Sequence, residues 1–276
     1  MLFRSLKVNE ISFSALRYLF DLDGTLYLDG TPLKGAVELL EFLNRKKIEF
    51  KLVTNNSSES RVVYMNKLGD MGFDVREEQI LTSGLATVEY LKREAISRVF
   101  LLGTPALEKE FESLGICLTH EDPEAVVLSF DKTLTYRKLE IAHGLLQKGT
   151  PYIATHPDFV CPTQEGNIPD CGSFIALLEA STGRRPVIVG KPSPLMVEMA
   201  FSGEDFKQNE TIIIGDRLYT DMAMGCQAGI LSGLVLSGEA SRKDLDQSSL
   251  KPDFIFEGVF EILDQLIEEE QDAHLS

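Results

Sequence analysis

LRYLFDLDGTLY, residues 16–27, sets a short apolar run against two aspartates spaced two apart. An apolar run of this length that stops at Asp-Gly reads as a buried strand running into a turn. In open α/β sheets ligands collect beyond the carboxyl ends of the strands, which is where Asp21 and Asp23 fall. Near a strand end residues i and i+2 point the same way, so both carboxyl groups can face one ligand. Two carboxylates that close repel unless a cation lies between them or one of them holds a proton. Either solution is useful chemically: one group serves as nucleophile and metal ligand, the other as general acid/base. Gly24 permits the sharp backbone turn behind them. The plainer alternative is that both acids merely cap a turn and a helix. Asp23-Gly24 alone would suffice for that, and LYLDGTPL (26–33) carries its own Asp-Gly at 29–30, which reads as a simple hairpin turn.

Outward from this stretch, short apolar runs alternate with amphipathic ones, the rhythm of a doubly wound parallel sheet wrapped by helices. Strands are expected at 16–20, 48–54, 98–103, 125–130, 151–155, 186–190, 211–216 and 231–238. Helices are expected at 35–47 and near 59–71, 83–94, 106–114, 136–147, 172–181, 193–201 and 258–270. In the first of these Val37, Leu40 and Leu43 share one face, widened by Leu39 and Phe42. Gly115, Gly149 and Gly183 stand where helices should stop, and Pro192 and Pro194 where one should start. No internal repeat or low-complexity linker breaks the pattern.

Three further groups sit at expected strand ends. Thr54-Asn55-Asn56 follows IEFKLV, and a hydroxyl and amides there can donate to phosphate oxygens; alone, the trio would read as a helix cap. Lys191 in VIVGKPSP precedes a helix expected to begin at once, so it faces the positive end of a dipole, mildly unfavourable by about 0.3–1 kcal/mol unless an anion is present. In IIIGDRLYTD (212–221), Asp216 follows an apolar strand and Asp221 comes five residues later at an expected helix start. Hard oxygen ligands of this kind suit Mg²⁺, which takes one or two carboxylates and keeps several waters. For Asp221 taken singly, a helix N-terminal acid explains it equally well.

The bulk composition narrows the class. Lys and Arg number 27 against 43 Asp and Glu, a formal charge of −16, and no run of basic residues supplies a nucleic-acid patch. No apolar run approaches the ~20 residues that span a bilayer. Arg4, Lys7, Glu10 and Arg17 interrupt the N-terminal apolar stretch, which points away from a signal peptide and toward the cytoplasm. The four cysteines form no CxxC pair and have no histidine at finger spacing, so zinc and a disulfide framework are disfavoured; they are expected to be small buried hydrophobes. Nucleotide-cofactor loops are absent as well.

Taken in order, DLDGT, TNN, GKP and GDxxxxD resemble the four motifs of the haloacid dehalogenase (HAD) superfamily. TNNSS, KTLTY, ATHPD and GKPSP resemble its subclass IIA, the 4-nitrophenylphosphatase-like branch. The resemblance covers about residues 16–265; residues 1–15 fall outside it. It implies a Rossmann-like α/β core over 14–81 and 187–276 and an inserted α/β cap over 82–186 that shapes the substrate pocket. It implies a Mg²⁺-dependent phosphatase acting on small phosphomonoesters through an aspartyl-phosphate. Asp21 would be the nucleophile and a metal ligand. Asp23 would be the acid/base and bind metal through its backbone carbonyl. Thr54 and Asn55, with Asn56 beside them, would meet the phosphoryl, Lys191 would offset its charge, Asp216 would complete the metal set, and Asp221 would orient metal water and Lys191. His156 and Asp158 of ATHPD are candidates for cap contacts to substrate; an ordinary strand-end turn around Pro157 explains them as well. A phosphomutase and a non-catalytic phosphometabolite-binding protein on the same fold are the competing readings. A dehalogenase is weakened by Asp23, an acid/base that carbon–halogen displacement does not need. The expected partner is a small phosphate ester, without nucleic acid or membrane. A homodimer is one assembly open to the chain.

Overall fold

The apolar run at 16–20 forms the strand Arg17–Phe20, in which Tyr18, Leu19 and Phe20 have no exposed surface. In the computed structural model, which describes residues 11–163, 165–201 and 207–275, this strand lies inside a six-stranded sheet. The order is Phe254–Phe256, Leu231–Val235, Thr211–Gly215, Arg17–Phe20, Phe50–Thr54, Ile80–Thr82. Thr211–Gly215 and Phe50–Thr54 both pair with Arg17–Phe20 in parallel, so the chain leaves the central strand to one side and returns on the other. Their crossovers create the topological switch point at which such sheets bind ligands.

The chain divides into two compact units. One comprises Met1–Leu52, Asn66–Gln79 and Phe206–Ser276; the other Val53–Met65 and Ile80–Asp205. In the first, helices Ala36–Lys46 and Phe260–Leu275 pack together, and Leu39, Leu40, Phe42 and Leu43 are buried as the periodicity requires. Tyr27–Leu28 and Thr31–Pro32 make the expected hairpin, with Asp29 and Gly30 at positive φ as a tight hairpin turn demands.

The second unit holds a parallel five-stranded sheet in the order Val187–Ile188, Tyr152–Ala154, Ala125–Leu128, Arg98–Leu102, Cys117–Leu118. Leu102, Val126, Leu128, Ala142, Leu146, Tyr152, Ala154, Cys171 and Leu178 form its core. Thr82, Thr104 and Thr135 cap the helices that follow them by accepting a backbone N–H. A small antiparallel pair, Val160–Thr163 with Gly166–Pro169, packs on helix Cys171–Thr182.

Several expectations need correction. The boundary placed between 186 and 187 cuts through the second sheet, because Val187–Ile188 pairs with Tyr152–Ala154. Residues 53–65 also count with that unit, since Ser57 and Ser58 bond Thr155, Phe130 and Thr104. The helix after Lys191 does not begin at once: it runs Leu195–Ala200, with Ser193 held by Gly190 in an intervening turn. Lys191 is therefore not at a helix N-terminus. Of the cysteines only Cys171 is buried; Cys117 lies on an edge strand and Cys226 on an exposed helix face. Strands at 80–82 and 254–256 were too short to read, and Arg242–Gln247 too short a helix. Arg4, Lys7 and Glu10 lie outside the described residues. No helix among those residues is long and apolar enough to cross a membrane.

Candidate active site

Asp21 and Asp216 each follow a strand, and those two strands are neighbours: Phe20 lies opposite Ile214, and the Asp21 N–H donates to the Ile214 carbonyl at 2.8 Å. Asp221 returns to the same place through the turn Leu218–Met222, its N–H donating to the Arg217 carbonyl at 3.1 Å. One carboxylate oxygen from each of Asp21, Asp216 and Asp221 comes within 4.8 Å of the others, and all three residues are buried. The sequence spreads these acids over 200 positions; parallel pairing brings them together.

The backbone around the trio is cleared of side chains. A Cβ on Gly238 would stand 2.0 Å from Asp216 Oδ2, and one on Gly24 would stand 2.3 Å from the same atom. Gly24 has φ of 84°, so glycine there serves both the turn and the close approach. Asp216 Oδ2 accepts the Glu239 N–H at 2.7 Å, whereas Oδ1 has no hydrogen-bond partner among the described residues. Burial, and then the negative charge of Asp21 and Asp221, pushes the Asp216 carboxyl up to about 7. Asp221 Oδ2 accepts from the Arg217 N–H at 3.2 Å and the Thr220 hydroxyl at 3.3 Å. Three buried acids, an Asp216 oxygen without a hydrogen-bond partner among the described residues, and glycine walls make an oxygen-rich recess. A divalent metal fits it by donor chemistry.

Asp23 is exposed, unlike Asp21. The buried Tyr27 hydroxyl donates to Asp23 Oδ2 at 3.1 Å, and Lys67 Nζ donates to that hydroxyl at 3.3 Å while lying 4.6 Å from the ring centroid. Arg217 pairs with Glu239 at 2.9 Å. Burial opposes its charge, but Asp21 and Asp216 outweigh burial and raise its pKa. Sequence reasoning left Tyr27, Lys67, Arg217 and Glu239 without a role. Tyr27 and Arg217 lie inside quoted motifs and were open to notice; Lys67 and Glu239 carry no local signal.

The remaining candidates lie in the second unit. Thr54, Asn55 and Lys191 are buried there. The Asn55 side chain bonds the Lys191 backbone at both its N–H and its carbonyl. Lys191 Nζ donates to the Val53 carbonyl at 3.4 Å. Asn56 closes a turn, its Oδ1 accepting from the Ser58 N–H and hydroxyl at 2.9 Å each. His156 is fully buried, with Nε2 2.9 Å from Asp170 Oδ1 and Nδ1 3.0 Å from the Thr155 hydroxyl. Asp158 is half-buried and accepts from Asn55 Nδ2 at 3.0 Å.

Adjacent parallel strands that end in aspartates, with a third acid from the next turn, make a buried acidic site at the carboxyl end of the sheet. The comparisons with known proteins agree. A haloacid dehalogenase-like hydrolase model matches residues 18–117, and a HAD-hydrolase-like model matches residues 188–262. The ribonucleotide monophosphatase NagD of Escherichia coli K12 is 33% identical over 242 residues, 88% of this chain and 96% of its own. The acid sugar phosphatase of Staphylococcus haemolyticus is 31% identical over 241 residues, 87% of this chain and 92% of its own. The crystal structure of 4-nitrophenylphosphatase from Thermotoga maritima superposes with a TM-score of 0.88 at 46% identity, covering 93% of this chain and 99% of that one. The chain belongs to the haloacid dehalogenase-like hydrolases, and within them to the phosphatases that cleave phosphoric monoesters.

Proposed function

We propose that this protein is a Mg²⁺-dependent phosphatase of small phosphomonoesters that works through an aspartyl-phosphate on Asp21. The observation that carries the reading is the buried trio Asp21, Asp216 and Asp221, whose Asp216 Oδ1 has no hydrogen-bond partner among the described residues. Asp21, Asp216 and the Asp23 carbonyl would hold the ion, with Asp221 orienting its water. When bound, Mg²⁺ offsets the carboxylate charge and that of the phosphoryl oxygens.

The protein's own groups carry the chemistry. An Asp21 carboxylate oxygen attacks phosphorus, the bond from phosphorus to the ester oxygen breaks, and Asp23 gives that oxygen its proton. Asp23, now ionised, takes a proton from the water that attacks the aspartyl-phosphate. The bond between Asp21 and phosphorus then breaks, inorganic phosphate leaves, and both carboxyl groups return to their starting state. Thr54 and Lys191, with the Asn55–Asn56 stretch beside them, serve the transferring phosphoryl, which in such reactions needs positioning and charge stabilisation above all. The relatives are named a ribonucleotide monophosphatase, an acid sugar phosphatase and a 4-nitrophenylphosphatase. Phosphate esters of such classes share their phosphoryl and differ in the leaving group, which supports a core that reads phosphate and an insert, within the second unit, that selects the rest.

The test is phosphate release from a panel of sugar phosphates, nucleoside monophosphates and 4-nitrophenyl phosphate. EDTA should abolish release and Mg²⁺ restore it, and Asp21→Asn should stay folded yet inactive. Turnover at the wild-type rate by metal-replete Asp21→Asn, or by wild type in rigorously metal-free buffer, would overturn the proposal.

A further inference from the structure

Both amide protons of Asn55 are spent. Its Nδ2 donates to the Lys191 carbonyl at 2.9 Å and to Asp158 Oδ2 at 3.0 Å, while its Oδ1 accepts the Lys191 N–H at 2.8 Å. A phosphate oxygen needs a donor, and this side chain has none left to give. The amide instead grips the Lys191 backbone from both sides, as one strand would grip another. The grip depends on close approach: a Cβ on Gly190 would stand 2.7 Å from Asn55 Oδ1 and 2.4 Å from the Thr155 carbonyl. Ser83 adds a hydrogen bond from its hydroxyl to the Asn55 carbonyl at 2.5 Å.

Asp158 reinforces the orientation that the Lys191 N–H and carbonyl ask of the amide. A carboxylate accepts but does not donate, so only the NH₂ edge of Asn55 can face it. The same orientation sets Oδ1 toward the Lys191 N–H; the flipped amide would set oxygen against carboxylate and NH₂ against N–H. Asp158 is itself held in place. Its carbonyl accepts the Gly172 N–H at 2.8 Å, and the neighbouring His156 is tied to Asp170 at 2.9 Å. A Cβ on Gly172 would meet the Pro157 carbonyl oxygen at 2.2 Å, so helix Cys171–Thr182 packs its backbone directly on this turn.

We infer that Asn55 and Asp158 are positioning residues. The Asn55 amide pins the backbone that carries the Lys191 ammonium, Asp158 reinforces that amide's orientation, and neither side chain binds substrate. The inference rests on the proposed role of Lys191 at the phosphoryl, and it replaces the expectation that Asp158 selects among substrates. It follows that damage to the network lowers turnover of every ester alike.

The test measures kcat and KM for 4-nitrophenyl phosphate, an alkyl phosphate and a nucleoside monophosphate, with thermal melts on every variant. Asp158→Ala should lower kcat on all three by one common factor, and Asp158→Asn, which can turn its amide oxygen to Asn55, should retain most of the turnover. Asn55→Asp sets carboxylate against carboxylate and should cost on the order of ten- to a hundredfold. Adding Asp158→Asn to Asn55→Asp should recover part of that loss, because the amide introduced at 158 donates to the carboxylate introduced at 55. Losses that differ among the esters for Asp158→Ala would overturn the inference. So would a double variant no better than Asn55→Asp, and if Asn55→Asp fails to fold, the two Asp158 variants decide alone. Lys191→Met separates the layers: wild-type turnover there removes the proposed phosphoryl role of Lys191, and the positioning role with it. Loss there together with full activity in the Asp158 and Asn55 variants defeats positioning only.

Discussion

At the scale of single residues, Asp216 records the tension in the site. Its folded carboxyl, raised by burial and by its two acidic neighbours, titrates near 7 against 3.8 for an ordinary aspartate. The metal-free native state therefore holds a proton that the unfolded chain has released, and its stability falls as pH rises from about 4 to 7. Melting the EDTA-treated protein across this range should show that slope. Asp216→Asn, which has no charge to bury, should flatten it while losing activity. Asp23 makes a second test. Asp23→Asn should slow hydrolysis of an alkyl phosphate by roughly 10²–10⁴-fold, the usual worth of general acid/base help. The first step with 4-nitrophenyl phosphate should suffer less, because its leaving group scarcely needs a proton; equal first-step losses on both esters would remove Asp23 from proton transfer. The position of Asp21 and Asp23 just beyond a strand was readable from the sequence alone. The contact of Tyr27 with Asp23 was not, because a tyrosine four residues on could equally have been core.

At the scale of elements, the segment before the first strand has a structural use. Glu269 on the last helix accepts from the Phe13 N–H at 2.7 Å, the Ser14 N–H at 3.0 Å and the Ser14 hydroxyl at 2.7 Å. Phe13 packs edge-on against Phe254 at 5.2 Å, and the Tyr18 hydroxyl donates to the Phe13 carbonyl at 2.7 Å. Burial would raise the Glu269 carboxyl, but the bonds from Ser14, Phe13 and Ser12 outweigh it and hold it below the usual range. A depressed carboxyl stabilises the fold above its unfolded pKa, and the gain disappears as pH falls through the folded value. Glu269→Gln should thus melt a few degrees below wild type at pH 7, with the gap closing in acid. A gap that persists at low pH would mean that packing, not charge, fastens the segment. Nothing in residues 11–15 pairs visibly with residue 269 in sequence, because no local period links them. Helix and strand existence was far more legible: where the apolar period ran ten residues or more, the element formed within a few residues of its expected ends. Three-residue strands such as Ile80–Thr82 carry too little pattern to be told from loop.

At the scale of the molecule, a formal charge of −16 and a buried acidic trio act in the same direction, against compactness. A cation that binds the native state alone stabilises it by mass action, about 2.7 kcal/mol at a hundredfold excess over Kd. Mg²⁺ should raise the melting temperature of wild type in a concentration-dependent way, and Asp216→Ala should abolish the response. An equal rise in that variant would place the ion elsewhere.

Composition, apolar period and strand-end acids were enough to determine the α/β class, the parallel sheet and the acids that stand at strand ends, because each is a local property of the chain. Tertiary structure alone decided which of them meet. Strand pairing placed Asp21 beside Asp216, and chain return placed Asp221 with them. The second sheet claimed Val187–Ile188, and the fold set the Asn55 side chain against the Lys191 backbone, 136 residues away, at both its N–H and its carbonyl. The physical reason is one of range: hydrogen-bond valence and burial depend on neighbours a hundred residues away, and no window of sequence contains them.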